Sequence, residues 1–236
     1  MSCGTSTGQS MTGNTAQTAS LAMPYRRLRC FLRGLSHVLV SMLYRLSYEG
    51  LENVPRNGPA ILIANHTSLL DMFAIHVRVS PWIHWVSKQE LFRVPLLAGL
   101  LRRLGCIPVQ RDKADMTAAR GIMNALKEKQ IVGMFPQGTR VRPDQFASVR
   151  PRGGAVHFAM RTAVPILPVA INGRFRLFGR VRIVFGKPFQ LSRSDLDRSL
   201  ADPFERLTLD TMQRVFDLIG QADVYGQIRR SGGQDK

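Results

Sequence analysis

The sequence predicts an α/β protein in which a mostly parallel central sheet is covered by helices. From residue 58 onward, short apolar runs alternate with longer segments of helical periodicity, as in sheets built with crossover helices. The apolar runs lack polar alternation, which is typical of strands buried on both faces. Three polar segments, NHTSLLD, QRD and FPQGTR, each follow a predicted strand. Ligands bind at that end of parallel strands, so we expect the functional site there.

Six strands and five helices follow from these patterns. The strands are predicted at 60–64, 83–86, 106–109, 131–135, 166–171 and 181–185. The helices are predicted at 69–79, 95–104, 114–129, 153–162 and 203–219, and Gly220 is expected to end the last of them. Residues 49–225 are therefore expected to form one domain. The polar residues 1–23, which lack the pattern of a signal peptide, are predicted to be a disordered tail, and 226–236 a loose tail.

Residues 24–48 have the pattern of an amphipathic helix. Leucine, phenylalanine and methionine recur at i, i+3, i+4 and i+7 spacing, while arginines lie opposite or beside this stripe. The apolar stretch between Arg33 and Arg45 is shorter than the ~20 residues of a membrane-spanning helix. Two interpretations remain open: the helix packs on the domain, or it lies in a membrane interface.

The net charge is the strongest signal in the composition. Thirty-three lysines and arginines oppose sixteen acidic residues, which gives a net charge of +17 and predicts an anionic partner such as a membrane surface, nucleic acid or phosphorylated substrate. Three widely spaced cysteines without a CxxC pair argue against a disulfide framework or a zinc site. We therefore expect no bound metal and a position at the cytoplasmic face of a membrane.

His66 and Asp71 are the candidate catalytic pair. On one continuous helix they would point about 140° apart, so we predict that His66 lies in a loop and that the helix begins at Ser68. Asp71 could then fold back and fix the tautomer of His66, leaving the second ring nitrogen as a general base. The alternative is that Asp71 only caps the helix. No GxSxG elbow is present, so the substrate is expected to supply the nucleophile.

Four segments in order resemble the lysophosphatidic acid acyltransferase (1-acyl-sn-glycerol-3-phosphate acyltransferase, PlsC-like) family of glycerolipid acyltransferases. NHTSLLD matches the family's NHxxxxD signature, and GCIPVQRD matches its second block. FPQGTR resembles the third block, FPEGTR, and VPILPVA the fourth. VSKQEL resembles the Lys-x-Glu-Leu segment between the first two blocks. The likeness covers roughly residues 48–190, and it implies the glycerol-3-phosphate acyltransferase-like fold.

The resemblance also implies the chemistry. His66 would deprotonate an acceptor hydroxyl, which attacks the thioester of acyl-CoA or an acyl carrier protein without an acyl-enzyme and without a further cofactor. Backbone amides near the helix start are candidate oxyanion donors. The acceptor would be 1-acylglycerol-3-phosphate. The expected substrate-binding residues are Asn65, Lys88, Arg111, Gln137, Gly138, Thr139 and Arg140.

Gln137 departs from the family, which usually has glutamate there. Glutamine keeps an acceptor oxygen and adds a donor, but it loses the charge. Acceptors such as glycerol-3-phosphate or an amino-acid lyso-lipid therefore stay open. A non-catalytic binder of anionic membranes or nucleic acid is the alternative from another class, and no motif that reads nucleic acid supports it.

Four arginines at 174, 176, 180 and 182 form a further basic segment. In an extended strand they would share one face. They are expected to be a solvated face, or to bind phosphates of CoA, an acidic carrier protein or lipid headgroups.

Overall fold

A computed structural model describes residues 25–110 and 115–231. The predicted disordered tail lies outside this range, as does Arg111. The strands are β1 (Arg45–Glu49), β2 (Ala60–Ala64), β3 (Ile83–Lys88), β4 (Ile107–Val109), β5 (Ile131–Met134), β6 (Ile166–Gly173) and β7 (Arg180–Phe185). The helices are α1 (Arg26–Leu43), α2 (Asp71–Arg78), α3 (Pro95–Arg103), α4 (Met116–Lys127), α5 (Gly154–Thr162), α6 (Pro203–Asp217) and α7 (Gly226–Ser231).

The strands form one sheet in the order β1-β7-β6-β2-β5-β3-β4. All neighbouring strands are parallel except β6 and β7, so the predicted, mostly parallel sheet is confirmed. The central strand β2 is buried along its whole length, because apolar residues cover both of its faces. One core cluster packs under α4, α5 and α6, and the other lies on the side of α2. The carboxyl ends of β2, β5 and β3 consequently meet at one edge.

The helix predicted over 24–48 is wrong at its C-terminal end. The helix α1 stops at Leu43, and Arg45–Glu49 form the edge strand β1, paired in parallel with Arg180–Val184. Leu46 and Tyr48 alternate with exposed residues, and the Tyr48 hydroxyl donates to the Ala74 carbonyl. Pairing with β7 satisfies the backbone of this segment, and this long-range partner outweighs the helical spacing of Leu46.

The C-terminal segment is also more ordered than predicted. Gly220 has a left-handed backbone (φ +73°) just after α6, as expected of a C-terminal stop. Beyond it, however, the first part of the predicted loose tail is the helix α7, and residues 232–236 lie outside the described range. Fully buried Tyr225 anchors this segment against the core, where its ring contacts Phe216 edge-on.

The helix α1 packs its less apolar side on the body. Arg29 is only 9% exposed, because its guanidinium lies over the Trp82 ring and its Nε donates to the Arg103 carbonyl. Burial lowers the pKa of Arg29. The apolar stripe faces outward instead and leaves Phe31, Leu35, Val38, Leu39, Met42 and Leu43 exposed. No helix among the described residues is long and apolar enough to cross a membrane.

His76 couples the packing of α1 and α2 to pH. Its ring contacts Trp82 edge-on at 4.0 Å. Burial, with added repulsion from Arg33, His84 and Arg29, lowers the pKa of His76 from 6.5 to about 3. Between about pH 6.5 and pH 3, His76 is therefore protonated in the unfolded chain but neutral in the folded chain. As a result, the free energy of unfolding falls as the pH drops from 6.5 towards 3.

We predict that His76→Phe flattens this pH dependence. Phenylalanine can fill the site against Trp82 without titrating, so the slope of unfolding free energy between about pH 5 and pH 7 should fall by up to ~1.4 kcal/mol per pH unit. Urea unfolding of both proteins across this interval measures the slopes. If the free energy of unfolding has the same pH slope in both proteins, His76 is not the cause of the pH dependence.

Candidate active site

Asn65 anchors the loop that follows β2. Its side chain is fully buried, its Nδ2 donates to the Ile171 carbonyl (2.9 Å), and its Oδ1 accepts from the Ile171 amide (2.8 Å). This pair of bonds mimics a strand pairing and ties the loop to β6. Asn65 is therefore placed to hold the loop, and both polar atoms of its buried amide are engaged by Ile171.

The carboxylate of Asp71 organises the same loop. Its Oδ2 accepts from His66 Nδ1 (2.8 Å), the Thr67 amide (2.7 Å) and the Ser68 amide (2.8 Å). The predicted helix start at Ser68 is wrong, since α2 begins at Asp71 itself. Asp71 nevertheless folds back over the loop and orients His66. Its hydrogen bonds go to residues that precede α2, and no side chain caps the helix.

The imidazole of His66 is held on its face and on its edge. Its ring stacks on Phe135 at 4.1 Å between centroids, and Phe135 stacks on Trp85 at 4.9 Å. Because Nδ1 faces a carboxylate, Nδ1 carries the proton and Nε2 is the basic atom. The side chain of His66 is 15% exposed, so Nε2 can act on a bound ligand from a largely dry position.

The loop after β5 holds the backbone of His66 from the other side. The Gln137 side-chain oxygen accepts from the His66 amide (3.2 Å), and the His66 carbonyl accepts from the Val141 amide (2.7 Å). Gly138 between them has φ +69°, and its amide donates to the Phe135 carbonyl, which makes the tight turn expected there. Gln137, at 3% exposed, is thus positioned to shape the loop that carries His66.

Tyr225 is a neighbour of Gln137 that no motif indicates. The two side chains interact, and both are buried. Burial raises the pKa of the Tyr225 hydroxyl, and the neighbouring Gln137 side chain opposes this effect, so the hydroxyl stays protonated at neutral pH. The C-terminal segment thereby reaches Gln137 in the loop after β5, which sequence patterns could not reveal.

An apolar cavity of about 250 Å³ opens beside His66. Its walls include Val86, Val109, Ile122, Met134, Phe135 and Phe158, from the side of the sheet that carries β5, β3 and β4. Lys88 lies at this cavity, and its ammonium is 3.4 Å from the Glu90 carboxylate. Gly138 also lines the cavity. The arrangement suits an extended apolar group with a charged end.

A second, basic cavity of about 350 Å³ lies on the β6 side of the same loop. It is lined by Thr67 and Ser68, which follow His66, and by the arginines 142, 174 and 176. The segment that contains the four arginines is not one extended strand, so the condition for sharing a strand face is not met. Only Arg180 and Arg182 belong to β7, whereas Arg174 and Arg176 precede it in the connecting loop.

The remaining predicted substrate-binding residues, Thr139 and Arg140, lie between the two cavities. Thr139 and Arg140 are exposed, on the loop that runs from Gly138 at the apolar cavity to Arg142 at the basic cavity. The amides of Thr67 and Ser68, at the helix start, donate to Asp71. These two amides are therefore engaged, and an oxyanion would need other donors.

Comparison with known proteins agrees with the site. A family model described as Acyltransferase matches residues 45–172. The 1-acyl-sn-glycerol-3-phosphate acyltransferase of Bacillus subtilis is 29% identical over 157 residues, covering 64% of this chain and 77% of that protein. The chloroplastic enzyme LPAT1 of Arabidopsis thaliana, of the same description, is 27% identical over 188 residues and covers 73% of this chain. The chain spans about half of that relative's length (52%).

A solved structure has the same fold. The crystal structure of the 1-acyl-sn-glycerophosphate acyltransferase PlsC from Thermotoga maritima superposes with a TM-score of 0.59 at 21% identity, covering 87% of each chain. The family match spans more than half of the 236 residues and includes both loops that hold His66. The protein therefore belongs to the acyltransferase family.

Proposed function

We propose that the protein transfers an acyl group from acyl-CoA or an acyl carrier protein to the free hydroxyl of 1-acylglycerol-3-phosphate, giving phosphatidic acid. The observation that carries this proposal is the His66–Asp71 pair, which lies beside an apolar cavity and is followed by Thr67 and Ser68 at a basic cavity. The relatives named above, described as 1-acyl-sn-glycerol-3-phosphate acyltransferases, support the choice of acceptor.

In the proposed reaction the acceptor hydroxyl is the nucleophile. His66 Nε2 takes the hydroxyl proton as the oxygen attacks the thioester carbon, and Asp71 stabilises the imidazolium that forms. The tetrahedral intermediate then expels the thiolate, which takes the proton from the imidazolium. No acyl-enzyme is needed. The nearby hydroxyl of Thr67 donates to Asp71, and that of Ser68 accepts from the Leu70 amide, so neither bonds to Nε2.

The two cavities suggest how the substrates are separated. An acyl chain would fit the apolar cavity, since removing its surface from water is favourable at ~25 cal/mol per Å². The acceptor phosphate would meet Arg140 or Lys88 at the mouth of the site, where guanidinium binds phosphate in bidentate fashion and ammonium binds it as a point charge.

We also propose that the protein works at the cytoplasmic face of a membrane. The exposed stripe of α1, together with the positive net charge, matches a helix that lies in the interface of an anionic bilayer. A truncation meant to test this must stop before Arg45, because β1 is part of the sheet. Substitutions on the exposed face of α1 are the cleaner test.

An assay of acceptor and donor choice tests the proposed reaction. Purified full-length protein would be incubated with labelled acyl-CoA or acyl carrier protein thioester and, in turn, lysophosphatidic acid, glycerol-3-phosphate and an amine-bearing lysolipid. Labelled phosphatidic acid from the first acceptor is the expected product. Transfer only to another acceptor would replace the proposed substrate, and absence of transfer to all three would overturn the reaction.

We predict that His66→Ala lowers kcat by at least ~10²–10⁴-fold, because the general base is lost while the loop keeps its backbone bonds. The matched control is His157→Ala, which removes an exposed imidazole on α5 and should keep activity. Thermal unfolding of both variants checks that they fold. Wild-type turnover in folded His66→Ala would exclude the mechanism.

A second prediction concerns Gln137. Two substitutions distinguish the effect of its acceptor oxygen from the effect of its side-chain size. Gln137→Glu keeps an oxygen for the His66 amide and should keep activity on lysophosphatidic acid, although a buried carboxylate should lower stability. Gln137→Met has no such acceptor, which leaves a buried amide unsatisfied at a cost of ~1–3 kcal/mol and should lower kcat. Steady-state kinetics on lysophosphatidic acid and an amine-bearing lysolipid, with unfolding curves, tests both. Equal kcat values for the two folded variants would contradict this role.

A third prediction concerns Arg140. Its replacement by alanine should raise KM for a phosphate-bearing acceptor about ten- to a hundredfold, the effect of a charged hydrogen bond of ~1.5–3 kcal/mol. Arg161→Ala, at the exposed end of α5 before β6 begins, is the charge-matched control. If KM for the acceptor is unchanged, phosphate recognition belongs to Lys88, to Arg111 or to the basic cavity.

A further inference from the structure

The connection between β6 and β7, residues 174–179 and named here the β6–β7 loop, combines two kinds of exposed side chain. Leu177 and Phe178 are 66% and 62% exposed, which is unusual for two consecutive large apolar residues in a connection of six. Arg174 and Arg176 precede them in the loop and are exposed as well. No acidic residue occurs between positions 172 and 183. Such a composition is complementary to a partner that has an apolar interior and an anionic surface.

The backbone of the β6–β7 loop holds these side chains outward. Phe178 has φ +57°, a conformation that is costly for a bulky residue and persists only where surrounding contacts impose it. Its amide donates to the carbonyl of Leu43, the last residue of α1, at 2.7 Å. At Gly179, an added Cβ would lie 2.8 Å from the Arg176 carbonyl oxygen, so the turn requires glycine. The backbone contacts of the β6–β7 loop therefore keep Phe178 exposed.

The β6–β7 loop continues the exposed stripe of α1. Besides the bond from Phe178 to Leu43, the Arg45 amide donates to the Gly179 carbonyl, and the rings of Tyr44 and Phe175 contact edge-on at 5.3 Å. The exposed apolar residues at the end of α1, Met42 and Leu43, thus adjoin Leu177 and Phe178. Joined apolar surfaces of this kind mark interaction sites more strongly than scattered single residues do.

The charge at this surface is uncompensated. Within residues 25–110 and 115–231, none of Arg45, Arg174, Arg176 and Arg180 forms a side-chain ion pair. Like the β6–β7 loop, α1 contains no acidic residue. Guanidinium groups around an apolar patch are the arrangement that an anionic bilayer complements, because headgroups meet the charges while acyl chains meet the apolar side chains.

We propose that the β6–β7 loop is a second membrane contact, which inserts Leu177 and Phe178 into an anionic bilayer beside α1 and places Arg174 and Arg176 among the headgroups. The two arginines also line the basic cavity with Thr67 and Ser68, the residues that follow His66. The contact therefore brings the lipid surface to the catalytic loop. This consequence for catalysis rests on the proposed acyl transfer to a lipid, whereas the membrane contact itself does not.

Binding to sucrose-loaded vesicles tests the contact without reference to activity. Full-length protein would be sedimented with phosphatidylcholine vesicles, with or without phosphatidylglycerol. Leu177→Ser/Phe178→Asn, in which asparagine suits the left-handed backbone, should reduce partitioning into the anionic vesicles about tenfold or more. Arg174→Ala/Arg176→Ala should reduce it about tenfold, and only when phosphatidylglycerol is present. The charge-matched control, Lys127→Ala/Arg161→Ala, lies at the C-terminal ends of α4 and α5, which lead into the amino ends of β5 and β6, whereas the β6–β7 loop follows the carboxyl end of β6; it should bind as wild type.

A tryptophan reporter measures insertion directly. Phe178→Trp should shift its emission to the blue on vesicles and be quenched by lipids brominated on the acyl chain. Lys127→Trp should show neither effect, and both variants keep the native Trp82 and Trp85 as a common background. Equal quenching of the two reporters would overturn the insertion of Phe178, even if binding were intact.

Activity measurements distinguish a membrane from a soluble protein as the partner of this surface. Leu177→Ser/Phe178→Asn should lose turnover of lysophosphatidic acid presented in vesicles but keep that of a short-chain, monomeric acceptor. If the arginine variant instead raises only KM for the acyl carrier protein thioester, with vesicle binding unchanged, the surface serves an acidic protein and the proposal is wrong. If wild type transfers no acyl group at all, the proposed function fails, while the vesicle measurements still decide the membrane contact.

Discussion

The candidate site depends on one buried carboxylate. Asp71 is fully excluded from solvent, and a carboxylate in that position costs several kcal/mol unless hydrogen-bond donors replace its water. Here the donors are the His66 ring nitrogen, the backbone amides of Thr67 and Ser68, and the Thr67 hydroxyl. Satisfying the carboxylate therefore forces the loop to wrap around it and prevents the imidazole of His66 from turning. The first turn of α2 favours negative charge at the same point.

The sheet topology supplies the rest of the frame. β2 lies between β6 and β5, so the loop that follows it has a neighbour on each side. Asn65 binds it to β6, whereas Gln137 and Val141 bind it to the loop after β5. The apolar and basic cavities open on opposite sides of this loop, because its two neighbours end in different side chains. In the proposed reaction, the loop that carries His66 would thus have an acyl group on one side and an anionic group on the other.

The fold was predictable where burial alone decides it. The strand at 60–64 has the predicted bounds, because five consecutive apolar residues in the middle of a sheet have no alternative environment. β1 was missed because it is an edge strand, and Leu46 happens to continue the helical spacing of α1. The pairing of His66 with Asp71 was predictable, since it is local and follows from their spacing. The contact between Gln137 and the His66 amide was not predictable, because the direction of the Gln137 side chain is set by residues far along the chain.

The orientation of α1 shows why an amphipathic pattern is ambiguous. The pattern identifies an apolar face but not what covers it, and here the arginine side packs inward because Arg29 finds an aromatic ring and a helix-terminal carbonyl. The apolar face is consequently left outside, next to the β6–β7 loop, whose root adjoins the catalytic loop. The reactive hydroxyl of a lysolipid lies at the boundary between headgroup and acyl chain. If His66 is the general base, as we propose, its position one loop away from a surface that is both basic and apolar would let it reach that boundary without the lipid leaving the bilayer.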